Sequence, residues 1–139
     1  MKVSWLGAVL GVISLLCWGT VLADDLTGAS ELLWTSVHAT VCSPDGECSS
    51  GPPWNWDVPQ FIEIDLVGKT LSTTKASGEN LSTPIGHVSR ENGVIFLQAV
   101  ERGRAFSFAI MEETGMVSAA VARAGLTVSV FGACTPMAP

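Results

Sequence analysis

The sequence predicts an all-β fold: a single antiparallel meander closing into a small barrel of about eight strands, with a β-sandwich as the alternative. Three observations carry this. Apolar residues recur at every second position through most of the chain after residue 60. Turn-forming pairs and triplets such as Asn92-Gly93 and Glu113-Thr114-Gly115 separate those runs. No segment keeps a helical period. Sequential strands joined by short loops read as an antiparallel meander, and closure removes exposed edges.

The first 23 residues stand apart. Lys2 is the only charge before Asp24, and an apolar stretch runs from Val3 to Trp18. A basic start, an apolar middle and the small-residue site Val21-x-Ala23 form a secretory signal peptide. Cleavage after Ala23 leaves Asp24 as the first residue and a single β domain over 24–139. The alternative is an uncleaved segment that anchors the protein in a membrane, since the run is long enough to span one.

The strands then follow in order. Residues 32–42 carry Trp34, Val37, Thr40 and Val41, and could begin with a short helical turn at Ser30-Glu31-Leu32-Leu33. Residues 60–67 alternate Ile62, Ile64 and Leu66 against Glu63 and Asp65, the mark of a half-buried strand. Residues 69–74 and 85–90 are shorter strand candidates. The Ser/Thr/Gly stretch from Ser72 to Thr83 reads as a hairpin or flap. Residues 93–99 form an almost wholly apolar run after Asn92-Gly93. Residues 104–112 place Phe106, Phe108 and Ile110 on one face. Residues 116–122 do the same with Val117, Ala119 and Val121, and 126–131 with Leu126, Val128 and Val130.

Cysteine usage follows from export. The leader removes Cys17 and leaves Cys42, Cys48 and Cys134. In an oxidising compartment nearby cysteines pair. Pro44-Asp45-Gly46 is a turn signal between Cys42 and Cys48, so a Cys42–Cys48 disulfide is expected, with Cys134 left over. Pairing of Cys134 with either of the others is the alternative. A zinc site would need His38 or His87 as well, and the spacing has no Cys-x-x-Cys pair. No metal or other cofactor is therefore expected.

Charge excludes another class. The 139-residue chain has a formal net charge of −6, which repels phosphate backbones, so no nucleic-acid partner is expected. After leader cleavage no second apolar run reaches membrane length, so no membrane partner is expected either.

Residues that could carry chemistry are few. No Gly-x-Ser-x-Gly elbow marks a nucleophilic serine. Glu63 and Asp65 share one strand face at about 7 Å, a separation glycosidase carboxylates use; the simpler reading is a solvated face. Gly51-Pro52-Pro53-Trp54-Asn55-Trp56-Asp57-Val58-Pro59 is the most distinctive segment. Its prolines stiffen the chain. Exposed Trp54 and Trp56 could stack on sugar rings or proline-rich peptides, with Asn55 and Asp57 adding polar contacts. These four residues are the ligand-binding candidates; the alternative is a rigid lid over one end of the β core.

The chain also resembles a group of small exported bacterial proteins of unassigned function. The shared features are Cys42-x5-Cys48, Pro59-Gln60-Phe61-Ile62, Phe106-Ser107-Phe108 with Glu113-Thr114-Gly115, and Phe131-Gly132-Ala133-Cys134-Thr135-Pro136. The resemblance implies export and a compact β domain; it implies no reaction and no site residues.

The expectation is a non-enzymatic, periplasmic or secreted β domain. Its role is to bind an envelope or extracellular ligand or to support the envelope. Two alternatives make distinct structural demands. A carrier of a small apolar ligand needs an internal cavity lined by residues such as Phe96, Phe106 and Phe108. A polysaccharide hydrolase needs Glu63 and Asp65 in one cleft with the tryptophans.

Overall fold

A computed structural model describes residues 25–138. The signal peptide expected over residues 1–23 and its cleavage site lie outside the described residues. The described residues form one antiparallel sheet of ten strands that curls into a half-barrel. The strands are β1 (Glu31–Cys42), β2 (Cys48–Gly51), β3 (Phe61–Asp65), β4 (Thr70–Thr73), β5 (Ser82–Pro84), β6 (His87–Glu91), β7 (Val94–Glu101), β8 (Arg104–Met111), β9 (Met116–Arg123) and β10 (Leu126–Pro136). Two short 3-10 turns, Pro53–Trp56 and Lys75–Ser77, are the only helical pieces among the described residues.

The all-β, antiparallel expectation is borne out: the described residues form ten strands rather than about eight, in one sheet. The spatial order is β5-β4-β3-β1-β10-β9-β8-β7-β6, with β2 paired to β1 beside this path. Strands β6 to β10 form the expected meander. The central seam joins the first long strand to the last, from Leu32 opposite Pro136 to Cys42 opposite Thr127.

Phase decides what each strand buries. In β8, Phe108 and Ile110 point inward; opposite them in β9 stand Ala119 and Val117. Val130 of β10 continues the Phe108–Ala119 row, and Val128, opposite Val121, is buried in the next one. Trp34 of β1 meets Phe108 edge to face, with ring centroids 5.2 Å apart and planes at 87°, an arrangement worth about 1 kcal/mol beyond its buried area. The apolar run in β7 hides its phase in the sequence. Ile95, Leu97 and Ala99 are buried, whereas Phe96 is exposed on the outer face. The expectation that Phe96 lines the interior is therefore corrected.

The turns obey their sequences. Asn92 and Gly93 both have positive φ (50° and 77°), as a two-residue hairpin turn requires. Arg102 and Gly103 make a second such turn (51° and 72°) between β7 and β8.

β1 begins directly at Glu31, without the helical turn considered for Ser30–Leu33. A register shift between Ser36 and His38 divides it. Below the shift β1 pairs with β3; above it, with β2. β10 continues past Gly132, five residues beyond the expected end. A Cβ at Gly132 would collide with the carbonyl oxygen of Thr35 and lie 2.6 Å from Trp34 Nε1. The glycine permits close approach of two strands rather than ending one.

The end of the half-barrel where β8 finishes is closed by residues that precede the first strand. Leu26 is fully buried there and its N–H donates to the carbonyl of Glu112 at 2.7 Å. Arg90 holds this plug in place: Nη2 donates to the carbonyl of Ala29 at 2.9 Å, and Nη1 pairs with Glu112 Oε1 at 3.4 Å. Edge strand β5 also approaches β7, the neighbour of the opposite edge strand β6. Gly86 N–H donates to the carbonyl of Gln98 at 2.9 Å, and the hydroxyl of Thr83 in β5 donates to the Glu101 carboxylate in β7.

Candidate functional site

The opposite end of the half-barrel is open inside. Rows of inward side chains reach it from three strands: Phe108, Ala119 and Val130; then Phe106, Val121 and Val128; then Arg104, Arg123 and Leu126. Below the first row, Ile110 and Val117 fill the interior. Above it a cavity of about 290 Å3 remains, backed by Trp34 and Ile62. That volume sits near the lower end of the range for small-molecule sites, roughly 300–1,000 Å3.

The 51–59 segment roofs this cavity. Pro52 is extended, Pro53 starts the 3-10 turn and is buried, and Asp57 leaves it in the left-handed region at φ 58°. The turn explains why the two tryptophans separate. A 3-10 helix advances about 120° per residue, so side chains two positions apart diverge. Trp56 turns inward, half-buried against the core, with its ring 3.4 Å from where a Cβ on Gly51 would stand. Trp54 turns outward and is 58% exposed.

Ser36 fixes the roof to the sheet. Its hydroxyl donates to the carbonyl of Pro59 at 2.9 Å, and its N–H donates to the carbonyl of Gln60 at 2.9 Å. Both bonds arise at the register shift in β1. There the chain departs from regular pairing and leaves Ser36 buried and Val37 exposed.

Trp54 faces a second hollow. A shallow groove of about 470 Å3 runs between the roof and the Lys75–Ser77 turn, lined by Trp54, Phe61, Gln60, Thr74, Ser77 and Glu79. The four candidate residues are thus distributed over two sites. Asn55 and Trp56 face the cavity, Trp54 faces the groove, and Asp57 borders both.

The paired carboxylates lie elsewhere. Ile62 and Ile64 take the inner face of β3, so Glu63 and Asp65 take the outer one. Neither lines the cavity or the groove. Asp65 Oδ1 accepts from the N–H groups of Val67 and Gly68 at 3.0 and 2.7 Å, which organises the turn into β4. The two histidines are exposed on different strands, His38 on β1 and His87 on β6.

The expected disulfide is present between Cys42 and Cys48, with Cα atoms 4.1 Å apart, and it clamps β2 to the upper end of β1. Inside its loop, the hydroxyl of Ser43 and the N–H of Glu47 hold the Asp45 carboxyl below its ordinary range. Cys134 is free and buried, and burial pushes its thiol up to about 12. No helix among the described residues is long and apolar enough to cross a membrane.

The chain matches no protein-family model, and no curated relative is found by sequence.

Sequence reasoning missed the arginines at the mouth. Arg104 and Arg123 stand directly opposite each other in the β8–β9 register and both line the cavity. Their signal was phase: Arg104 lies two residues before Phe106, and Arg123 two after Val121, so each continues an inward row to the rim.

Proposed function

We propose that residues 24–139 form an exported, non-enzymatic domain that holds a small, largely apolar molecule inside the half-barrel. The observation that carries this reading is the unfilled interior beneath Trp56. A core packed to ordinary density leaves few voids larger than a water, yet here Phe106, Phe108, Val128 and Val130 border open volume. The disulfide suits an oxidising compartment outside the cytoplasm, in line with the expected leader.

Binding of the uncharged fluorophore N-phenyl-1-naphthylamine tests the reading. One molecule per chain should bind, with enhanced emission and quenching of tryptophan fluorescence. Ala119→Phe fills the cavity from its wall and should abolish binding while circular dichroism stays unchanged. Absence of binding, or binding unaffected by Ala119→Phe in a folded variant, would overturn the proposal.

A second reading rests on the outer groove. Trp54 and Phe61 are both substantially exposed there beside polar side chains, a surface suited to stacking on a sugar ring or an extended peptide. A tryptophan emission shift on adding soluble oligosaccharides, lost in Trp54→Ala, would support it. No shift with either glycans or proline-rich peptides would remove it.

A further inference from the structure

We infer that the molecule held in the cavity is an amphiphile with an anionic head, and that Arg104 and Arg123 hold that head at the mouth while the tail enters the half-barrel. The inference rests on the cavity being a ligand site, as proposed above.

The lining has two chemistries. Its depth is apolar: Trp34, Phe108, Ala119, Val128 and Val130. Its rim carries both arginines, side by side across two hydrogen-bonded strands. Like charges placed directly opposite repel each other, so an anion between them relieves that repulsion.

Neither guanidinium is spoken for. Among the described residues the one ion pair is Arg90 with Glu112, at the closed end. Arg104 and Arg123 form no side-chain hydrogen bond there either, although each guanidinium offers five N–H donors. The Arg104 guanidinium carbon lies 5.6 Å from the centre of the Phe106 ring. A cation–π contact of this kind uses none of the five N–H donors in a hydrogen bond and keeps the side chain near the rim.

Two acids stand near enough to compete. Glu101 faces Arg104 in the β7–β8 register, but its carboxylate accepts from the hydroxyl of Thr83 and it does not line the cavity. Asp57 does line the cavity, yet it pairs with neither arginine. The lining therefore keeps a net positive charge of one, on the arginine side. A planar carboxylate fits a pair of guanidinium edges through charge-assisted hydrogen bonds. The size of the cavity limits the tail to a short chain or a compact ring system.

The test uses displacement of N-phenyl-1-naphthylamine by ligands that share a tail and differ in head. Decanoate should displace it on the order of tenfold more tightly than decanol, since bonds to a charged group outweigh neutral ones. Acetate, which has the head without the tail, should not compete at the same concentration. In Arg104→Gln/Arg123→Gln the advantage of decanoate should disappear while decanol binds as before. Equal displacement by decanoate and decanol in the natural chain would overturn the inference, as would a preference that survives the double substitution. Failure of the fluorophore itself to bind would instead overturn the reading of the cavity, and the inference with it.

Discussion

Arg104 and Arg123 face each other across β8 and β9 with no acidic partner between them. In the free protein this arrangement is a cost. Cross-strand like charges destabilise a sheet by up to about 1 kcal/mol, and the effect is screened by salt. Arg123→Gln should therefore raise the stability of the ligand-free domain by about 0.5 kcal/mol in urea titrations at low salt. The gain should shrink at high salt. A loss of stability would mean that Arg123 makes contacts that outweigh the repulsion.

Ser36 ties the roof to the sheet through Pro59 and Gln60. Ser36→Ala removes the hydroxyl donor at Pro59 and keeps the backbone bond to Gln60. The expected cost is about 1 kcal/mol of stability, with more where the Pro59 carbonyl stays buried and unpaired. Amide exchange near Trp56 and Val58 should quicken, and the fluorophore should dissociate faster. Unchanged exchange there would show that the hydroxyl bond to Pro59 does not hold the roof.

At Gly132, β1 and β10 come closer than a side chain allows. Gly132→Ala must push apart the Thr35 carbonyl and the Trp34 ring, which is itself part of the cavity wall. Overpacking of this kind costs roughly 1–3 kcal/mol. A lower melting temperature together with altered tryptophan emission is the expected result. A neutral outcome would show that the seam can shift without strain.

Cys134 should be inert to a thiol reagent in the native protein at pH 8 and reactive in denaturant, because it is buried. Its thiol is pushed from an ordinary 9.0 up to about 12 by burial. The folded state thus holds this proton more tightly than the unfolded chain. That contribution is complete below pH 9 and is lost as the pH rises toward 12. At the limit it amounts to about 4 kcal/mol. Urea titrations across this range should show a steeper alkaline loss in the natural chain than in Cys134→Ala.

Much of the fold was legible because alternation survives wherever one face of a strand is buried and the other wet. Phe106, Phe108 and Ile110 gave β8 its phase, and Asn92-Gly93 gave a hairpin its turn. Pro44-Asp45-Gly46 foretold the disulfide. The misses share a cause: their determinants are not local. Cys48–Gly51 has no apolar pattern because β2 lies largely exposed against β1. Ser82–Pro84 is a three-residue edge strand with too few positions to alternate. In Val94–Ala99 nearly every residue is apolar, so nothing in the string marks Phe96 as the one that turns out. Trp54 and Trp56 look like a pair in sequence, but the 3-10 turn sends them to opposite sides of the roof. Gly132 reads as a stop and is a point of strand contact.

The pairing of β1 with β10 has a kinetic consequence. The strand formed first from the N-terminal side finds its longest partner only at the other end of the chain, so the sheet's central seam closes a very large loop. Contacts this distant slow folding, because loop-closure entropy is lost before the contacts form. A chain that stops short of Leu126 would leave one whole edge of β1 without its partner and open to pairing with another molecule. The central seam of the native sheet is therefore complete only once β10 has paired with β1.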